Sequence, residues 1–445
     1  MTLTNHSKPL LALVVTTWSH ESGAAYAREL VSISPRHAPP EIDVLACPTL
    51  LGSEADIPAI TRFFADKNPD AVCLIPGNFT LDHIMPLLAQ ALKLPAVLWG
   101  LPTPEAWGAL VSVQQTVFAF KELGLPFRFV TARLDDPEVW ETVLTYLQAC
   151  FIQQRLRGMR IGVMGWRAQG MSDVIFDELA LREAFGVQLV NLGLTTYTRA
   201  LQTIPEEAVE QAWSEIKPRF VTEELPEPVG RYGVRSYLVL KDMVAQNDLQ
   251  SISLECFHDH LGGPCLGFCL LNDQGIPAPC EDDVPSAILM AAAQACTGAA
   301  TFHTDIVEAD YAADWAIFHH CGNMPTSLAH PAYKPGLKPI RETAGPGAYG
   351  PAIQATMKPG PVTVANLVNG RYELRLCALH GEVLPEHMGL TGSGAKIAFP
   401  FSLRHALEKI GNEGYGHHFV LIQGHIGPSL EAWCELAGMR YTGIY

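Results

Sequence analysis

A chain of 445 residues is long for one hydrophobic core and implies two or three domains. Its formal net charge of −16 argues against a nucleic-acid or anionic-membrane partner, since both demand basic surfaces. Charged residues make up only 17%, below the roughly 25% usual for soluble domains, so part of the surface is expected to be covered by further copies of the chain.

The opening MTLTNHSKPLLALVVTTW carries an apolar run too short to span a membrane. It lacks a basic lead and a small-residue cleavage site, and reads as a first β-strand of a cytoplasmic protein. Eleven cysteines without a CxxC pair are too sparse for a disulfide scaffold and read as buried free thiols. His258 and His260 with Cys265 and Cys269 are spaced too loosely for a structural zinc site. Here CLGFCLL reads as a buried strand and its cysteines as core thiols.

From Leu10 to about Cys150, five strand candidates alternate with amphipathic segments such as 54–65 and 82–92. They are LLALVVTTW, EIDVLAC, DAVCLIPG, LPAVLWG and FRFVTAR, the pattern of a parallel, doubly wound sheet. No Gly-rich dinucleotide fingerprint follows any of them, which counts against a nicotinamide cofactor. A second α/β unit opens near Gly158 with the strand MRIGVMGW, a turn from Gly165 to Gly170 and the helical DVIFDELALREAF. Its glycines lack the GxGxxG spacing, yet the turn is placed to approach a ligand, with Arg167 as a candidate contact. SISLECF is a strand ending near Glu255, another candidate at a strand's carboxyl end.

The most informative stretch, 280–308, reads CEDDVPSAILMAAAQACTGAATFHTDIVE. Asp283 as N-cap, Pro285 in the first turn and Gly298 past the end frame one buried helix. Asp282 and Asp283 are explained by capping and the helix dipole. Glu281 and Asp305 are not. An acid inside the apolar run AATFHTDIV needs a cation or donor nearby, because burying an unpaired charge is costly. If the strands flanking the helix are parallel, both acids lie near the carboxyl ends of the sheet, as a metal site or an acid/base pair.

Beyond Asp305, AIFHHCGN is a strand ending in two histidines, and 331–361 is rich in Gly and Pro. PVTVANLVNGRYELRLCALHGEVL reads as two alternating strands joined at Asn369–Gly370, the strongest hairpin signal in the chain. HHFVLIQGHIG is a further strand and turn, followed by the helical PSLEAWCELAG. The fold expected is α/β: two doubly wound, Rossmann-like parallel-sheet domains at 1–157 and 158–299, the second carrying Glu281, then a β-rich antiparallel domain at 300–445 carrying Asp305 and His418.

Taken as a set, these spaced motifs resemble the L-fucose isomerase and L-arabinose isomerase superfamily of metal-dependent aldose–ketose isomerases. CEDDVPSAILMAAAQACTG resembles the family's two acids leading a helix that ends in Thr-Gly, and the next acid of its pattern falls on Asp305. GHHFVLIQGHIG resembles its C-terminal segment, in which a metal-binding histidine, here His418, is followed by a His-Ile-Gly, here starting at His425. FHHCGNMP and the Pro-Gly-Pro-Val-Thr start of the hairpin are similar to the shorter members. The likeness runs from about Gly158 to the end in motifs, and over the first domain in architecture alone.

The resemblance implies that Glu281, Asp305 and His418 bind one divalent cation, Mn²⁺ or another such as Mg²⁺ or Co²⁺; the expectation for the chemistry is that Glu281 and Asp305 also share the proton transfers through a cis-enediolate, with a hydride shift between the carbons as the alternative. The resemblance implies a further metal ligand or a sugar contact in His320, and sugar contacts from His417, His425 and Glu255, to which the residue reading adds Arg167. His319 and His387 read as structural. A small sugar is the expected partner, and a trimer or hexamer with the site near a subunit interface the expected assembly. A sugar-binding protein without catalysis, and a metal-dependent epimerase or aldolase at the same site, are the competing readings.

Overall fold

The structure, a computed structural model, describes residues 7–258, 260–341, 349–389 and 391–445. The chain divides into two compact units, Met1–Gln154 and Arg155–Tyr445.

In the first unit, strands β1 (Leu10–Thr16), β2 (Asp43–Ala46), β3 (Ala71–Pro76), β4 (Ala96–Gly100) and β5 (Phe127–Thr131) form one parallel sheet in the order β2-β1-β3-β4-β5. Helices α1 (Ala24–Ile33), α2 (Ile57–Phe64), α3 (Ile84–Leu92), α4 (Ala109–Glu122) and α5 (Pro137–Leu156) alternate with the strands. Every residue of β1, β3 and β4 is buried, which is why these strands read as unbroken apolar runs rather than as alternation. The helix expected from residue 54 starts later, because Ser53 and Asp56 cap each other's backbone in a 3₁₀ turn ahead of it.

The second unit opens with a parallel sheet of β6 (Arg160–Met164), β7 (Gln188–Asn191) and β8 (Ser251–Leu254), in the order β7-β6-β8. Its helices include α6 (Glu178–Phe185), α7 (Leu194–Thr203), α8 (Glu206–Ile216), α9 (Glu227–Gln246), α10 (Cys265–Asp273) and α11 (Val284–Thr297). The α10 segment corrects the strand expected at CLGFCLL. Its residues are buried on every side, and an apolar run without a polar face has no period by which helix and strand can be told apart.

The remaining strands are β9 (Phe302–Asp310), β10 (Trp315–His320), β11 (Gly336–Pro339), β12 (Pro351–Thr356), β13 (Gly360–Asn369), β14 (Leu374–Val383), β15 (Ser393–Ala398), β16 (His418–Gln423) and β17 (Arg440–Ile444). They form one mostly antiparallel sheet in the order β11-β12-β15-β10-β9-β16-β13-β14-β17, and a further β14–β15 pairing closes six of them into a ring. The hairpin at Asn369–Gly370 is β13–β14, paired over ten positions. The expected architecture of parallel α/β sheets followed by an antiparallel β region is therefore present. Among the described residues, no helix is long and apolar enough to cross a membrane.

Alternation along the ring's strands determines what faces α11. Phe302 on β9 and Phe419 and Leu421 on β16 join Phe318, Val362 and Val364 in one apolar cluster. Their alternate neighbours His303, Asp305 and His418 are thereby turned to the other face. Strands β13 and β16 pack against α11, so this face meets the helix on which the central stretch depends.

Candidate metal centre

Helix α11 begins as its sequence predicts. The Asp283 carboxylate accepts a hydrogen bond from the Ser286 backbone N–H at 3.0 Å, Pro285 occupies the first turn, and Gly298 ends the helix at φ 67°. Just before it, Glu281 and Asp282 both adopt left-handed backbone, at φ 65° and 55°. Two consecutive non-glycine residues in that region cost on the order of 1–3 kcal/mol each. The side chain of Asp282 helps to hold the turn, accepting from the Met164 N–H at the end of β6 at 3.3 Å. Burial pushes the Asp282 carboxyl up to about 7.

The strands bring the other members. Asp305 stands in the middle of β9, directly opposite His418 on β16 and His319 on β10. This corrects the conditional picture of two acids at the carboxyl ends of one parallel sheet: Glu281 follows the isolated parallel bridge Leu254–Cys280, whereas Asp305 belongs to the antiparallel sheet. The two acids still converge, because His418 lies between them. Its Nε2 is 2.9 Å from Glu281 Oε2 and 3.8 Å from Asp305 Oδ1. One donor atom each from Asp305, His320 and His418 lies within 4.8 Å of the others, as does one each from Glu281, His417 and His418.

Three buried atoms here, His418 Nε2, Asp305 Oδ1 and His320 Nδ1, have no hydrogen bond, although His418 Nε2 stands 2.9 Å from Glu281 Oε2. Unpaired buried polar atoms are costly, and several converging on one point fit a cation that all of them bind. Burial lowers the His320 imidazole to about 4, so its ring is neutral with a lone pair to offer. For Glu281, burial raises the carboxyl, but His418 above all outweighs it and holds it at about 2. Cys280 lies close to His303 and His320, but burial drives its thiol well up, so it is a poor ligand. Carboxylates and imidazole suit a hard divalent cation such as manganese or magnesium.

Behind the converging atoms stands a second carboxylate. Asp283 Oδ2 is 2.9 Å from His418 Nδ1 and 3.3 Å from His303 Nε2. Burial would raise this fully enclosed carboxyl, but the two histidines reverse that and hold it well below its ordinary range. His418 is likewise pushed down by burial and lifted well above its ordinary value by Asp283 and Glu281. A carboxylate on Nδ1 keeps that proton in place, so it is the Nε2 proton that His418 would give up to an arriving cation, and Nε2 that would face it. Sequence reasoning assigned Asp283 only its capping role and passed over His303. The available signal was the two-residue spacing of His303 and Asp305, which puts both on one face of a strand.

The other predicted contacts divide. His417 lies against His418, ring centroids 4.0 Å apart and planes tilted by 39°, and meets Asp173. Glu255, 6% exposed, turns one oxygen back onto its own loop, accepting from the Phe257 and His258 N–H groups. It also touches the Gly165 turn, where an added Cβ would stand 2.7 Å from its own. Arg167, in that turn, has one hydrogen bond, to the Ala168 carbonyl, and its buried Nε has none. His425 is not brought to the cluster within this chain. It lies past the far end of β16, roughly 20 Å along the strand from His418, stacked on His380 at 4.3 Å. Among the described residues, the metal-competent groups do not include His258, His260, Cys265 or Cys269.

No family model matches this chain. Sulfoquinovose isomerases from Priestia aryabhattai and Priestia megaterium (strain ATCC 12872 / QMB1551) are each 22% identical to it over 406 residues, covering 86% of this chain and 89% of theirs. One from Clostridium sp. (strain MSTE9) is 26% identical over 364 residues, covering 77% and 79%. A solved periplasmic solute-binding protein of Actinobacillus succinogenes 130z with bound D-allose aligns at a TM-score of 0.18 with 14% identity, over 65% of this chain and 92% of that one, too slight a likeness to argue from. On the three relatives that align along most of its length, the chain is a sugar isomerase.

Proposed function

We propose that the chain is a metal-dependent aldose–ketose isomerase whose substrates include hexoses carrying a sulfonate at the far carbon, the sugar type named by its relatives. The observation that carries the metal is the set of unpaired buried atoms, His418 Nε2, Asp305 Oδ1 and His320 Nδ1, beside the Glu281 carboxylate. Glu281, Asp305 and His418 would hold the ion, with His320 beside them. A divalent cation there supplies Lewis acidity toward the two sugar oxygens.

The rest of the chemistry belongs to the protein. Isomerisation moves a proton between C1 and C2 through a cis-enediolate, so a base must take a proton from one carbon and return it to the other. Glu281 is ionised at neutral pH and enclosed, at 7% exposure, which equips it to accept that proton away from water. The Asp305 side chain is 32% exposed, so it can both meet the sugar and serve the ion. Asp283 and His303 hold His418 in place and do not touch the reacting carbons on this reading.

The test is ketose formation from a panel of aldoses, sulfoquinovose among them, with metal-stripped protein before and after addition of Mn²⁺. Stripped protein is expected to be inactive, and Mn²⁺ to restore ketose formation with the highest rate on a sulfonated hexose. Full activity in stripped protein that binds no Mn²⁺ would sink the metal. Return of a different aldose would replace the isomerase with an epimerase, and chain cleavage with an aldolase.

A further inference from the structure

Asp173 lies on a short 3₁₀ turn, Ser172–Val174, beyond the Gly165–Gly170 loop, 244 residues from the segment it grips. Its Oδ2 accepts from the His417 backbone N–H at 2.8 Å and stands 2.6 Å from His417 Nδ1. The chain before His417 is shaped to admit it: a Cβ on Gly416 would lie 2.8 Å from the same oxygen. Asp173 therefore holds both the backbone and the ring of His417, whose imidazole lies against His418. With Nδ1 turned to the carboxylate, the nitrogen left for other work is Nε2. The His417 side chain is 43% exposed, unlike the enclosed His418 at 2%, so it can meet a substrate rather than only a neighbour.

We propose that Asp173 is a positioning residue that orients His417 to serve the oxygen end of the isomerisation, an inference that rests on the isomerase reading above. His417 Nε2 takes the proton from the O2 hydroxyl and delivers it to O1, while the carboxylate base carries the carbon proton from C2 to C1. No proton is gained or lost overall, and the reverse reaction retraces the path. The arrangement follows the general logic of a carboxylate that fixes the tautomer of an imidazole base. It also gives the oxygen-end transfer its own group, apart from the two metal-binding acids.

Asp173→Asn keeps the size of the side chain and an oxygen for the His417 backbone N–H, but replaces the charged acceptor shared by that N–H and the ring with a neutral, weaker one. It is expected to lower kcat about 10–100-fold, as loss of an orienting partner does, with KM, Mn²⁺ affinity and melting temperature near wild type. Asp173→Asn combined with His417→Gln is expected to be no slower than His417→Gln alone, since both remove one device. Wild-type kcat in Asp173→Asn, or losses that multiply in the double variant, would overturn the proposal, as would an equal loss of Mn²⁺ affinity. A readout independent of turnover separates it from the isomerase reading: ¹⁵N imidazole spectra of the Mg²⁺-loaded protein, with His417→Gln to assign the signal. If the wild type converts no aldose, the isomerase reading falls and the catalytic part of this proposal with it. The spectra then decide the pairing, a His417 Nδ1–H signature lost in Asp173→Ala supporting it and an unchanged spectrum refuting it.

Discussion

On the metal-dependent reading, in which Asp283 holds His418 rather than the ion, replacing Asp283 by Asn is expected to weaken both Mn²⁺ binding and stability. Asn caps helices about as well as Asp, so α11 should keep its first turn. What disappears is the charge that His418 and His303 share at 2.9 and 3.3 Å in a fully buried position. Without it, His418 loses the partner that fixes its Nε2 toward Glu281 and Asp305, and Mn²⁺ affinity should fall about 10–100-fold. Metal-stripped Asp283→Asn should unfold about 2 kcal/mol more easily at neutral pH, from the weakened buried hydrogen bonds. The sign of the pH dependence follows from the depressed carboxyl: its stabilisation is fully present above the unfolded value of about 3.9 and fades as pH falls toward the folded one. The gap between variant and wild type should therefore narrow below about pH 4. Denaturant melts of stripped protein at pH 7 and pH 3, with Mn²⁺ titrations at pH 7, check this. A variant that keeps wild-type Mn²⁺ affinity would show that Asp283 is a helix cap and nothing more.

This position also shows where the sequence was legible and where it was not. Local chemistry was readable because it is written in adjacent residues. Asp283, Pro285 and Gly298 marked the two ends of α11, and Asn369–Gly370 marked the hairpin. The unbroken apolar strands of the first unit announced a sheet covered on both faces. The burial of α10 erased the period that would have separated it from a strand. Partnerships between distant segments left no local trace: Asp283 serves Ser286 three residues away and His418 135 residues away, and only the first has a sequence signature. The same holds for Asp173 and His417. His425 shows the opposite limit. Its motif is close to His418 in sequence, but an extended strand carries seven residues far apart in space.

Replacing Glu281 by Gln should have the largest effect on turnover, a fall in kcat of about 10²- to 10⁴-fold, the usual cost of losing a positioned general base. The substitution keeps the volume and one carbonyl oxygen, so the variant should still take up Mn²⁺, though less tightly. Glu281 is the candidate for the carbon proton because it is buried yet ionised, an anion kept so chiefly by His418 rather than by water. Its strained backbone at φ 65° adds a second sign that the geometry there is imposed. Isomerisation in D₂O separates the possible routes. A base that takes the carbon proton and exchanges it with solvent leaves deuterium at C1 or C2 of the product, and Gln at 281 should abolish that label along with the turnover. If the wild-type product carried no deuterium, transfer would be either enclosed or a direct hydride shift between the carbons. Glu281→Gln would then decide between those two: a hydride shift needs no base on carbon, so turnover should persist while Mn²⁺ stays bound. Loss of turnover with Mn²⁺ still bound would leave Glu281 as the base within a closed site.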